Sequence, residues 1–289
     1  MTSHLHQTIT LQDGRQLGYS ELGDQNGYPI FYFHGGNGSR LEAQWFRKSI
    51  EAQSIRLISP DRPGFGLSDF QANRTFSDWA DDVRQLADTL NIETFSVFGL
   101  SGGAPHVLSV CAHLSERVLK AAIISGVAPP SAPNRFKGIW FPIRLLFFSA
   151  RYLPFIKTQF LKQMGTFYSD RAMMEKRMLQ ALPQSDKDLI ARNPSILDIY
   201  TEDAKESHRN GIAGDSHEWH LYVHDWEIDI ANIQTQIGLW YGKYDQNAPM
   251  VMGEYYAKAL PNNTWNLVDD GGHFSTINNH IDAILAFLK

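Results

Sequence analysis

Five nearly unbroken apolar runs constrain the fold of this chain more than any other feature: "YPIFYFHGG" (28–36), "IRLISPD" (55–61), "TFSVFGL" (94–100), "LKAAIISGVAPP" (119–130) and "IGLWYGKYD" (237–245). A strand with no polar face must be covered on both sides, and such strands belong to parallel sheets flanked by helices. Helical spacing fills the intervals. In "TFSDWADDVRQLADTLN" (75–91), Trp79, Val83, Leu86 and Leu90 share one face, and Ser77 is the expected N-cap. Residues 41–53 and 249–260, a stretch from the "GLSGG" glycines to about 116, and the C-terminal segment to Lys289 also read as helices. "TITLQDGRQLGYSEL" (8–22) adds two short strands around an Asp13-Gly14 turn, and "TWNLVDDGGH" (264–273) adds a last one. The alternation predicts an α/β fold: a mostly parallel eight-stranded sheet with helices on both faces.

The rhythm stops between about 131 and 230, where Phe, Met, Trp and basic residues are frequent and no strand pattern occurs. Helices are expected over 139–151, 154–167, 170–182, 186–192 and 195–209. The expected organisation is therefore one sheet domain, 1–130 and 231–289, interrupted by a helical insertion at 131–230. With 289 residues, 43% of them hydrophobic, the chain can bury a core without disulfides or metal. The single cysteine, Cys111, excludes an intrachain disulfide and reads as a small buried hydrophobe. Together with a polar N-terminus that lacks an apolar leader core, it suggests a cytoplasmic location. A net charge of −5 argues against nucleic acid as the main partner. No apolar stretch reaches the length of about 18 residues that a membrane span needs. The nearest, "GIWFPIRLLFFSA" (138–150), is interrupted by Pro142 and Arg144 and is expected to line an acyl pocket rather than touch a membrane.

The chemistry centres on "VFGLSGGAPH" (97–106), in which Ser101 stands between glycines where a buried strand turns into a helix. The pattern matches G-x-S-x-G. Alone it fits a glycine-rich turn with a capping serine equally well. A serine hydroxyl becomes a nucleophile only beside a base that a carboxylate orients. His273 follows the last strand through the short "VDDGG" loop, and Asp245 closes "IGLWYGKYD". Both reach the sheet edge that carries Ser101, the edge where open α/β sheets bind ligands. Asp269 and Asp270 lie close to His273 in sequence and are the alternative acids. Acyl transfer also needs preorganised N–H donors for an oxyanion. Gly102 offers one and Gly36 another, with Gly35 and Asn37 as neighbours in "HGGNGS" (34–39). That loop lacks the Gly-Lys-Ser/Thr of a phosphate loop.

"FYFHGGNGS", "SPDRPGFGLSD", "VFGLSGGAPHVL", "WYGKYDQNAP" and "DDGGHF", in this order and at these separations, resemble the α/β-hydrolase family across both flanks of the chain. The resemblance implies Ser101 as nucleophile, Asp245 as orienting acid, His273 as general base, and the loop at 34–38 with Gly102 as oxyanion hole. It places a cap in the insertion and gives Asp61 and Arg62 a structural part. It implies no cofactor and no metal. Serine stands at the elbow where epoxide-opening and dehalogenating members carry aspartate. Asn37 and Gly102 depart from the prolyl aminopeptidases, and the longer "HGxGPG" loop of C–C bond hydrolases is absent. A small-molecule carboxylic ester is the expected substrate. The same triad acting on an amide, lactone, thioester or C–C bond, or in perhydrolysis, is the alternative, as is a catalytically weak ligand receptor or scaffold. His34 is expected to be packed. His217, His220 and His224, near Asp215, Glu218 and Asp225, approach metal-ligand spacing, but "HEWH" is one residue short of H-E-x-x-H and reads as one side of a cap helix.

Overall fold

The apolar runs become the centre of a single sheet in the computed structural model, which describes residues 4–168 and 170–289. Its strands are β1 (His4–Thr10), β2 (Gln16–Gly23), β3 (Tyr28–Phe33), β4 (Ile55–Pro60), β5 (Phe95–Leu100), β6 (Val118–Ile124), β7 (Gln236–Gly242) and β8 (Asn263–Val268). They are ordered β1-β2-β4-β3-β5-β6-β7-β8. β2 runs antiparallel to β1 and β4, and all other pairs are parallel. Alternate side chains of each central strand enter opposite cores, as the period of two requires. Phe31, Phe33, Val97 and Tyr241 pack under α2 (Phe76–Thr89), α3 (Ala104–His113) and α10 (Met250–Ala259). Ile30, Tyr32, Phe98 and Trp240 pack under α1 (Arg47–Ala52) and α11 (His273–Leu288).

Two local expectations change. Thr75, not Ser77, caps α2: its N–H donates to the Asp78 carboxylate at 2.6 Å, and its Oγ1 accepts from Asp78 N at 3.4 Å. This reciprocal box needs an acceptor three residues on; Thr75 has Asp78, whereas Ser77 has only Ala80. The helix expected over 41–53 is split into a 3-10 stretch, Arg40–Phe46, and the short α1.

Between β6 and β7 lie α4 (Phe141–Tyr152), α5 (Pro154–Tyr168), α6 (Arg171–Ala181), α7 (Gln184–Arg192), α8 (Ser195–Ser207) and α9 (Ala213–Tyr222), with no strand among the described residues. Met174, Met178, Leu189, Ile190, Ile196 and Leu197 form a small core of their own within α6–α8. α7 packs against α11, and α8 against the 3-10 stretch. On α4, Leu146, Phe147 and Ala150 are buried, while Phe141, Leu145 and Phe148 are exposed. No helix among the described residues is long and apolar enough to cross a membrane.

Candidate active site

The turn from β5 into α3 forces Ser101 into the left-handed region, at φ 54°. A non-glycine residue held there costs on the order of 1–3 kcal/mol and persists only when its surroundings over-determine it. Here they do. A Cβ at Gly103 would lie 2.3 Å from Phe33 O, so glycine alone lets α3 start this close to β3. The Ser101 carbonyl accepts from Val127 N at 3.1 Å, which ties the elbow to the loop after β6.

Asp245 lies three residues past β7, in a turn that immobilises its carboxylate. Oδ1 accepts from Asn247 N at 2.8 Å and Ala248 N at 3.0 Å, and Oδ2 lies 2.8 Å from His273 Nδ1. With Nδ1–H donating to Asp245, Nε2 is the acceptor of the neutral ring. His273 is 6% and Asp245 4% exposed. Burial alone would push the imidazole down. The charge and hydrogen bond of Asp245 outweigh it and hold His273 above the ordinary histidine range, with Asp186 and Glu42 adding to the effect. Asp269 and Asp270 are exposed, and Asp269 faces Lys243 at 3.5 Å. Among the described residues no hydrogen bond joins Ser101 Oγ to the His273 ring; such contacts are often long before substrate binds.

A residue of the helices between β6 and β7 positions the His273 main chain. Asp186 of α7, fully buried, accepts from His273 N at 2.9 Å, Ser275 N at 2.8 Å and Ser275 Oγ at 2.6 Å. α11 has no N-cap side chain of its own, because Gly272 occupies that position. A Cβ there would meet Asp186 Oδ1 at 2.5 Å, so glycine makes room for a cap supplied from elsewhere.

The loop at 34–39 is held by Glu42 below it and by Asp203 of α8. Gly35 N donates to Glu42 Oε2 at 2.7 Å, which engages that N–H away from Ser101. Glu42 also receives Tyr32 Oη–H at 2.5 Å. Arg62 donates to His34 O at 2.5 Å and Gly35 O at 3.0 Å, and His34 is fully buried, so both pack as structural groups. Asp61, also buried, receives Arg40 N and Arg40 Nη1, each at 2.7 Å. Asp203 of α8 accepts from Ser39 N at 2.9 Å and Ser39 Oγ at 2.5 Å. Gly36 opens on free space, and its N lies 3.1 Å from where a Cβ on Gly102 would sit, so the two backbone groups are neighbours at the elbow. Asn37 has φ 62°, and its buried Oδ1 has no hydrogen-bond partner among the described residues.

Beneath the elbow, His106 Nδ1 lies 3.1 Å from Gly102 O, and Tyr222 Oη lies 3.0 Å from the same carbonyl and 2.6 Å from Glu218 Oε2. Glu218 is buried, which pushes its carboxyl up; Arg62, His106 and Arg74 reverse this and hold it well below the carboxylate range. Burial pushes His106 down to about 4, against the opposing pull of Glu218. The "HEWH" segment is thus divided. Glu218 pairs inward with Arg62 and Arg74, His217 Nε2 sits 2.9 Å from Arg74 O, and His220 stacks on His224 at 4.0 Å. Among the described residues no three His, Cys, Asp or Glu side chains gather as metal ligands. Cys111 is buried, and burial pushes its thiol up to about 12.

Ser101 follows β5, Asp245 follows β7 and His273 follows β8, so the sheet brings all three to the edge formed by the C-terminal ends of its parallel strands. A family model described as the α/β hydrolase fold matches residues 28–279, and the chain belongs to the α/β-hydrolase family. It is 33% identical over 121 residues to the uncharacterized hydrolase YcgS of Bacillus subtilis (strain 168), a match covering 42% of this chain and 41% of that protein. The match to YcgS therefore spans well under half of either chain. A 2-hydroxymuconate semialdehyde hydrolase of Pseudomonas putida is 23% identical over 276 residues, covering 91% of this chain and 89% of that one. Among solved structures, an esterase from Thermogutta terrifontis superposes with a TM-score of 0.69 at 18% identity, covering 98% of this chain and 97% of its own.

Proposed function

We propose that the chain is a serine hydrolase that cleaves small-molecule carboxylic esters through an acyl-enzyme. In this reading residues 131–230 form a cap over a core built from 1–130 and 231–289. His273 Nε2 takes the Ser101 proton as Oγ attacks the ester carbonyl. Asp245 holds the required tautomer and stabilises the imidazolium. The N–H groups of Gly36 and Gly102 receive the oxyanion. Protonated His273 then gives its proton to the departing alkoxide, and the alcohol leaves. Water, deprotonated by His273, attacks the acyl group, and the acid is released as Ser101 is reprotonated.

The observation that carries this reading is the buried Asp245–His273 bond of 2.8 Å, with Ser101 held at φ 54° after β5 at the same edge of the sheet. The engaged Gly35 N–H is why Gly36 is preferred over Gly35 as a donor. The test is turnover on a series of p-nitrophenyl esters of increasing acyl length, alongside matched p-nitroanilides and lactones. Ester turnover that is lost in Ser101→Ala and exceeds that on anilides and lactones supports the proposal. A preference for anilides or lactones keeps the triad and replaces the substrate. Turnover retained in Ser101→Ala overturns the mechanism.

A further inference from the structure

Among the described residues nothing covers the outward face of α4. Phe141, Leu145, Phe148 and Tyr152 are 71%, 45%, 51% and 65% exposed. Their spacing of four, three and four residues places them on a single stripe. The inward face is also apolar. An apolar face normally turns to an interior, yet this second one lies at the surface. The patch continues around the corner into α5 with Phe155 and Ile156, 75% and 51% exposed. Contiguous apolar patches of this kind mark interaction sites.

Charge identifies the partner. The chain carries −5 overall, yet it has no aspartate or glutamate between Glu116 and Asp170. Within that stretch Lys137, Arg144, Arg151 and Lys162 are exposed. Arg144 and Arg151, seven residues apart, run along one flank of the aromatic stripe. The helices packed on α4 do not neutralise them: α5 has no acid, and Asp215 and Glu218 of α9 are buried. A second copy of this chain docked by two-fold symmetry on this face would set the same cations against one another with no carboxylate to receive them. An aromatic stripe edged by arginines instead suits an anionic lipid interface, with rings among the acyl chains and guanidinium groups on phosphates.

We infer that the α4–α5 corner is a docking surface for anionic lipid bilayers, which seats the inserted helices on the membrane without spanning it. The inference does not depend on the reaction catalysed. The test is co-sedimentation of the full chain with phosphatidylglycerol vesicles and, separately, with phosphatidylcholine vesicles. Binding to the anionic vesicles, weakened by salt, is expected to exceed binding to the zwitterionic ones. Arg144→Gln with Arg151→Gln should weaken it about twentyfold or more, at roughly fivefold per cation near an anionic surface. Phe141→Ser with Phe148→Ser should abolish it, and both double variants should keep the wild-type Tm because these side chains are exposed. Equal binding to the two vesicle types, no binding to either, or variants that bind like wild type would overturn the inference. So would a wild-type dimer in sedimentation velocity that the two Phe→Ser substitutions dissolve, which would assign the face to self-association.

Discussion

Asp186→Ala should damage both the stability of the protein and the placement of His273. The substitution removes the acceptor of three hydrogen bonds, to His273 N, Ser275 N and Ser275 Oγ. Gly272 offers no replacement. A lost N-cap acceptor costs about 0.5–2 kcal/mol, and each buried donor left unpaired adds about 1–3 kcal/mol. These overlap, and a net loss of about 3 kcal/mol is expected, or roughly 6–10 °C in Tm for a chain of this size. The same bonds fix the main chain that carries the His273 ring, and a displacement of the order of 1 Å at a catalytic group costs about a hundredfold in kcat. Asp186→Asn separates charge from shape. Nearby carboxylates favour the cationic imidazolium, and Asp186 is one of those that hold His273 up. Removing its charge lets His273 deprotonate at lower pH. Because the proposed base acts only when neutral, the acid limb of kcat/KM should move to lower pH in Asp186→Asn. The assay is kcat/KM of a soluble p-nitrophenyl ester against pH for wild type and both variants, with Tm measured in parallel. An unmoved acid limb with unchanged Tm would refute the reasoning. A lower Tm with an unmoved limb would reduce Asp186 to a structural contact.

Asp245→Asn should lower kcat by about 10³–10⁴-fold, since the amide presents the wrong group to His273 Nδ1; a loss below tenfold, measured in the same ester assay, would point back to Asp269 or Asp270. Asp203→Asn should change stability in a pH-dependent way. Burial and the neighbouring Glu42 push the Asp203 carboxyl well above its usual range, so the folded state holds that proton more tightly than the unfolded state. Wild-type stability is therefore full below the unfolded carboxylate value of about 3.9 and falls as pH rises towards the folded one. The neutral amide has no such loss, so the Tm of Asp203→Asn relative to wild type should climb with pH. A Tm difference that stays constant from acid to alkaline pH would contradict this.

The strands and most helices were legible because their signals are local. "YPIFYF" is apolar at every position except its tyrosine hydroxyls, and Trp79, Val83 and Leu86 repeat at helical spacing. Ser101, Asp245 and His273 were legible as candidates because each follows the end of a strand, and a parallel sheet sends all such ends to one edge. The supports of the site were not. Asp186 is 87 residues from His273, Asp203 is 164 from Ser39, and Glu218 is 144 from Arg74. No periodicity or spacing links residues so far apart. The one trace is Gly272, which begins a helix without an acceptor side chain and so implies one from elsewhere. The outward stripe of α4 was hidden for a different reason: with apolar residues on both faces, the helix gives no period that tells inside from outside.

The most direct test of the central claim is labelling with a fluorophosphonate probe, comparing wild type with Ser101→Ala and locating the adduct by peptide mass spectrometry. The account predicts a single adduct on Ser101 in the wild type and no labelling of the folded Ser101→Ala protein. An adduct on another residue, or ester turnover that persists while Ser101 stays unlabelled, would contradict it.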